Sequence, residues 1–118
     1  MITHLKTQYG EYEITLRPTT YAEGNNLAIQ MMCWDEEWES EEPFALLTVN
    51  LDGKRRPNEA FVDVNNCPWA MRFIEEYELG EWNGEMRSSG FCIYPLVKFN
   101  MDRVNKFINR DDDLFEED

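Results

Sequence analysis

Histidine is almost missing from this chain: His4 is the only one among 118 residues. That scarcity leaves little room for a histidine-based catalytic triad or a histidine-rich metal site. Cysteine is scarce too, and Cys33, Cys67 and Cys92 form an odd set at wide spacing. They give no disulfide framework and suit a reducing compartment. No apolar run approaches the roughly 18 residues that a membrane-spanning helix needs. The opening stretch MITHLKTQYG has no apolar signal core, so a cytoplasmic location is the expectation. Bases are few as well: 11 Lys and Arg stand against 24 Asp and Glu, for a net charge of −13. That balance argues against contact with DNA, RNA or an anionic membrane through a broad basic face.

What the chain does hold is a core and two concentrations of acid. Hydrophobic residues make up 42% and aromatics 14%, enough for one folded domain of this length. Six carboxylates fall in DEEWESEE, residues 35–42: Asp35, Glu36, Glu37, Glu39, Glu41 and Glu42. Six more fall in DDDLFEED, residues 111–118: Asp111, Asp112, Asp113, Glu116, Glu117 and Asp118. Neither segment contains a base, and the other 12 acids face 11 bases, so the rest of the chain is nearly neutral.

Periodicity supplies the elements. EYEITLR (11–17) alternates Tyr12, Ile14 and Leu16 against polar residues, the pattern of a half-buried strand. Pro18 implies a bend or an edge there. EGNN (23–26) is turn chemistry, and LAIQMMCW (27–34) completes a hairpin. PFALLTVNL (43–51) reads as a third, central strand. DGKRRPN (52–58) is a polar turn, and EAFVDVN (59–65) a fourth strand. NNCPWAMRFIEEYELG (65–80) predicts a helix capped by Asn65 or Asn66, with Pro68 in its first turn and Gly80 as its stop. EWNGEMRSS (81–89) reads as a loop, and GFCIYPLVKF (90–99) as a fifth strand whose Pro95 marks an edge or bulge. NMDRVNKFINR (100–110) predicts a short helix capped by Asn100, with Met101, Val104, Phe107 and Ile108 inward.

The order β-β-β-β-α-β-α favours an α+β fold: a single domain over 1–110, with a largely antiparallel sheet of about five strands and one or two helices packed on one face. Residues 111–118 form an acidic tail that is expected to stay hydrated and disordered.

The stretches NNLAIQM, EEPFALLTVNL, AFVDVNNCPWAMRFIEEYELG and SSGFCIYPLVKFN cover most of residues 25–100. Together they resemble a family of small proteins encoded on bacterial mobile elements and described only as a domain of unknown function. The resemblance implies a compact α+β domain, and no activity, cofactor or catalytic residue. The 111–118 tail lies outside the stretches that carry it.

Several constellations invite chemistry, and each has a plain alternative. Cys67 near a helix start could be a thiolate, but a base is lacking and a buried cysteine beside Trp69 fits as well. Glu59 with Asp63, or Glu75 with Glu76, could act as a carboxylate pair, yet chance supplies such pairs in so acidic a chain. Three cysteines plus His4 have no close C-x-x-C spacing for zinc. The acidic runs lack the glycine-containing loop of an EF-hand. Asp63, Asn65, Asn66, Ser88 and Ser89 could gather into a polar pocket, or could simply cap a helix and make a turn. No catalytic, cofactor or metal residue is assigned.

The acidic runs remain as the candidate interaction surface. If 35–42 is an extended hairpin tip, Asp35, Glu37, Glu39 and Glu41 share one side at about 6.5–7 Å spacing. DNA places one phosphate per ~3.4 Å along each strand, so one such edge does not copy it closely. Trp38 points to the other side. It could anchor a contact together with Trp34, or fold back on the sheet while the acids keep the edge from pairing. The leading expectation is a non-enzymatic protein whose acids engage a basic protein surface. A DNA-mimic inhibitor of a defence nuclease is its concrete form. The alternatives are an accessory domain whose acids serve solubility alone, and a small hydrolase or transferase using the Asp63–Asn66 and Ser88–Ser89 region. No direct contact with nucleic acid or membrane is expected, and the oligomeric state is open.

Overall fold

A computed structural model describes residues 1–110. Its longest strand, β2 (Gly10–Thr20), carries the predicted alternation and buries Ile14 and Leu16 completely. β1 (Thr3–Thr7) pairs with its first half and β3 (Leu27–Asp35) with its second half, both antiparallel. Where β1 ends, the Leu16 amide donates instead to the Phe107 carbonyl at 2.9 Å. Pro18 has the same parity as Leu16, so its missing N–H falls where no strand lies. That is how a proline is tolerated inside an 11-residue strand. β4 (Ser40–Leu46) completes a sheet of order β1-β2-β3-β4.

The second sheet has order β5-β6-β8-β7, from β5 (Thr48–Val49), β6 (Glu59–Val62), β7 (Gly80–Ser89) and β8 (Cys92–Phe99). The two sheets meet at Leu47, which is fully buried. Its amide donates to Ile29 O and its carbonyl accepts from Asp63 N, each at 2.9 Å. One residue is thus bonded to both sheets. This is why the predicted third strand (43–51) is broken in two.

Helices α1 (Ala70–Glu76) and α2 (Met101–Asn105) are short. α1 buries Ala70, Phe73 and Ile74. Ring contacts run from Tyr12 through Phe44, Trp69, Phe73 and Tyr77 to Phe107, with successive centroids 4.8 to 6.2 Å apart. The core also takes residues of both sheets, among them Leu5, Ile29, Met31, Val62 and Val97.

The expected α+β class, single domain and antiparallel pairing are what the structure has. The details differ in several places. Residues 3–7 form a strand: the short alternation of buried Thr3 and Leu5 with exposed His4 and Lys6 is real, and the Tyr77 hydroxyl accepts from His4 N at 2.7 Å and donates to His4 O at 3.0 Å. Residues 81–89 belong to β7 rather than to a loop, and strands form two sheets instead of one.

The helix predicted over 65–80 occupies only 70–76 and has no side-chain cap. Pro68 disfavours helical geometry at Cys67, so the chain first makes a turn in which Asp63 O accepts from Cys67 N at 2.9 Å. The helix stop is Glu78 at φ 54, not Gly80. Leu79 N donates to Ile74 O at 2.9 Å and Glu78 N to Glu75 O at 3.2 Å, the paired bonds of a Schellman ending. Gly80 is needed for close approach instead: a Cβ there would stand 2.8 Å from Lys98 O and 2.8 Å from a Val97 methyl.

Asn100 caps α2 as expected, accepting from Arg103 N at 3.3 Å, and Val104 and Phe107 are buried. Ile108, expected inward, is exposed. The predicted acidic tail, 111–118, lies outside the described residues. Among the described residues no helix is long and apolar enough to cross a membrane.

Candidate functional site

The acidic segment 35–42 joins β3 to β4. Asp35 pairs with Ser40, leaving Glu36 to Glu39 as a four-residue turn. Asp35 builds that turn itself: its Oδ1 accepts from Glu37 N at 2.9 Å and from Trp38 N at 3.2 Å. An aspartate capping its own following amides is a standard way to close a turn. Glu39 completes the reversal at φ 48. Strand alternation therefore does not run through the tip, and the expected row of Asp35, Glu37, Glu39 and Glu41 along one side is not formed.

The six carboxylates divide into two sets. Glu41 accepts from Thr15 Oγ1 and from the Arg17 guanidinium, each at 3.0 Å, and Glu42 accepts from Ser40 Oγ at 3.1 Å. With Asp35, these three serve the hairpin. Glu36, Glu37 and Glu39 are exposed and take no side-chain partner among the described residues. Trp38 stands between the last two and is 73% exposed. It does not fold back on the sheet. Trp34 does not join it: the Arg110 guanidinium lies 4.5 Å from its ring centroid and also pairs with Glu13. Asp111, Asp112, Asp113, Glu116, Glu117 and Asp118 lie outside the described residues.

The other sequence candidates are placed apart. Cys67 is buried, and burial with nearby Asp63 pushes its thiol up to about 11, so it stays protonated at neutral pH. Glu59 is held by Arg56 at 2.9 Å. Asp63 accepts from Asn66 N at 3.2 Å and Asn66 Nδ2 at 2.8 Å, a local turn. Ser88 and Ser89 lie on exposed β7, paired with Ile93 and Cys92. Among the described residues no three His, Cys, Asp or Glu side chains stand together as a metal-holding group.

Sequence reasoning missed a second exposed feature, the β7–β8 hairpin. Every residue from Glu81 to Phe91 is exposed. Its two-residue turn uses Gly90 at φ 62 and leaves Phe91 wholly in solvent. Trp82 pairs with Val97 and Met86 with Pro95, so β7 carries a bulge over 83–85, opposite the proline that signalled it. Between this hairpin and α1 lies a groove of about 1250 Å³. The signal for it was the spacing of Trp82 and Met86 before a Ser-Gly turn, interrupted by Gly84 and therefore hard to read as a strand.

The chain matches the family model of a domain of unknown function, DUF4313, over residues 15–118, and it belongs to that family. The match takes in the acidic segment 111–118, beyond the stretches that suggested the resemblance, and begins inside β2. Comparison with curated proteins and with solved structures gave no match.

Proposed function

We propose that this DUF4313 protein is a non-enzymatic interaction protein that holds a basic protein surface with the β3–β4 tip. The observation that carries the reading is Trp38, 73% exposed between Glu37 and Glu39 on a turn fixed by Asp35. Exposing an indole to water forgoes its burial, which is worth about 1.5–3 kcal/mol for a large apolar side chain. An aromatic ring inside a charged rim is the arrangement of an interface hot spot: the ring fills a pocket and the rim steers and orients the partner. The 111–118 carboxylates, by composition, add attraction for the same cationic partner.

A DNA-mimic inhibitor of a nuclease that defends the host of a mobile element, acting in the cytoplasm, is the narrower form of this proposal. It requires carboxylates at phosphate-like spacing over more than one turn. The tip alone offers three without a side-chain partner, so a compact acidic–aromatic contact is the better supported form.

The test is affinity capture from host lysate with three baits: the wild type, a Glu36→Gln, Glu37→Gln, Glu39→Gln variant, and a chain ending at Arg110. A basic protein held by the wild type at moderate salt and lost from the Gln variant is expected. Equal capture by all three would leave the acids as a solubilising surface and overturn the reading.

A further inference from the structure

The second sheet carries two arginines on one aromatic ring. Phe61 pairs with Leu96, and Arg87 pairs with Tyr94. Tyr94 and Leu96 stand two residues apart on β8, so all four share a face. Val62 and Val97 point into the core, so this face is the one turned away from it. Residues 50–58, which join β5 to β6, bring Arg55 over the same ring. The Arg55 guanidinium lies 4.6 Å from the Phe61 centroid and the Arg87 guanidinium 4.9 Å. Beneath them Phe61 is only 2% exposed.

Backbone carbonyls fix both side chains. Arg55 donates to the Leu51, Asp52 and Gly53 carbonyls, and Arg87 Nη1 donates to Asp52 O at 2.6 Å. Two cations therefore share one carbonyl oxygen. A carbonyl is neutral, so both charges stay in place. Among the described residues neither arginine has a carboxylate within ion-pair distance, whereas Arg17, Arg56 and Arg110 each have one. Arg72 and Arg103 also rest on carbonyls, but on separate ones. Burial and then the Arg87 charge pull the Arg55 pKa below its ordinary value, and Asp52 offsets this only in part. The like charges are thus held together by geometry rather than by a counter-charge.

The donors that remain point to the class of ligand. Arg87 Nε and Nη2 and Arg55 Nε have no acceptor among the described residues. A carboxylate has two oxygens and fills one guanidinium fork; two adjacent forks suit a group with three, which is a phosphate. We propose that Arg55 and Arg87, on the outer face of the second sheet, form a binding site for a phosphate group. This site is separate from the β3–β4 tip and does not rest on the function proposed for it. At a net charge of −13 the chain as a whole repels anions, so saturable phosphate binding marks a local site.

The probes are inorganic phosphate and phenyl phosphate, with acetate and chloride as controls at constant ionic strength. Binding is followed on the whole chain by NMR of backbone amides and arginine Nε–H groups. Both phosphates should give saturable shifts at the Arg55 and Arg87 Nε–H groups and at the Gly53 amide, and the controls should not. The tighter of the two tells whether the site serves free phosphate or a phosphate monoester. Arg87→Gln should weaken binding about tenfold or more. Arg87→Lys keeps the charge and loses the fork, and should weaken it less. Arg72→Gln should leave it unchanged, and the amide spectrum checks the fold of each variant. No saturable shift, equal shifts with acetate, or undiminished binding by folded Arg87→Gln overturns the proposal.

Discussion

The β3–β4 and β7–β8 hairpins both hold an aromatic ring in water, but they reach it differently. β3 is packed along most of its length, with Ile29 and Met31 fully buried, and only a four-residue turn projects. At that tip Trp38 has charged neighbours and no apolar company. β7 leaves the core after Gly80, and Phe91 at its tip is followed down one side by exposed Ile93, Met86 and Trp82. One hairpin is a rigid base with a charged point; the other is an arm with an apolar face. The first suits electrostatic encounter around one anchor, and the second suits burial of area.

The deepest way to break the comparison is at the shared base. Phe73 contacts Trp69 on one side and Tyr77 on the other, so Phe73→Ala should destabilise the fold by about 3–5 kcal/mol in denaturant unfolding. Both hairpins should then lose amide protection together. Gly80→Ala should strike the arm first. A methyl group 2.8 Å from Lys98 O forces the β7–β8 pairing apart, a cost of about 1–3 kcal/mol. Hydrogen exchange should rise in β7 before it rises in β3.

Cys67 sharpens the same base by pH. Its folded-state value near 11 stands above the ordinary thiol value of 9. Stability from this group is therefore fully present below about pH 9 and is lost as pH rises toward 11. A Cys67→Ala chain should lose less stability over that window than the wild type, as read by unfolding at fixed denaturant. Asp35→Ala removes two acceptor bonds from the tip turn and should cost about 1 kcal/mol, with exchange changed at Glu37 and Trp38 only. The smallest effects belong to the tips themselves: Trp38→Ala and Phe91→Ser should each shift stability by under about 0.5 kcal/mol.

What could be read from the sequence follows the same division. Period-two alternation gave β2, the turn that follows it tipped 27–34 to the strand β3, and Asn100 before Met101 gave the cap of α2. Charge is legible without structure, so the acidic tip was found, although its four-residue turn was not: that depends on Asp35 bonding to its own neighbours' amides. The arm was missed because an apolar residue reads alike whether it is buried or exposed. Ile93 and Val97 look equivalent in the sequence, yet Val97 lies opposite Ala60 of β6 and is buried, while Ile93 lies beyond that pairing and is exposed. Gly80 was read as a helix stop by composition, whereas the crowding of β8 against it is a tertiary fact. Nothing local predicts that Glu78 would take the left-handed turn in its place.

The measurement that bears most directly on the tip as a binding site is capture by a Trp38→Ala bait beside the wild type at physiological ionic strength. The substitution leaves every charge in place and should leave the fold intact. Loss of a basic partner that the wild type retains is the predicted result, since the ring anchors the contact. Full retention by the alanine variant would mean that charge alone holds the partner, and would contradict the account.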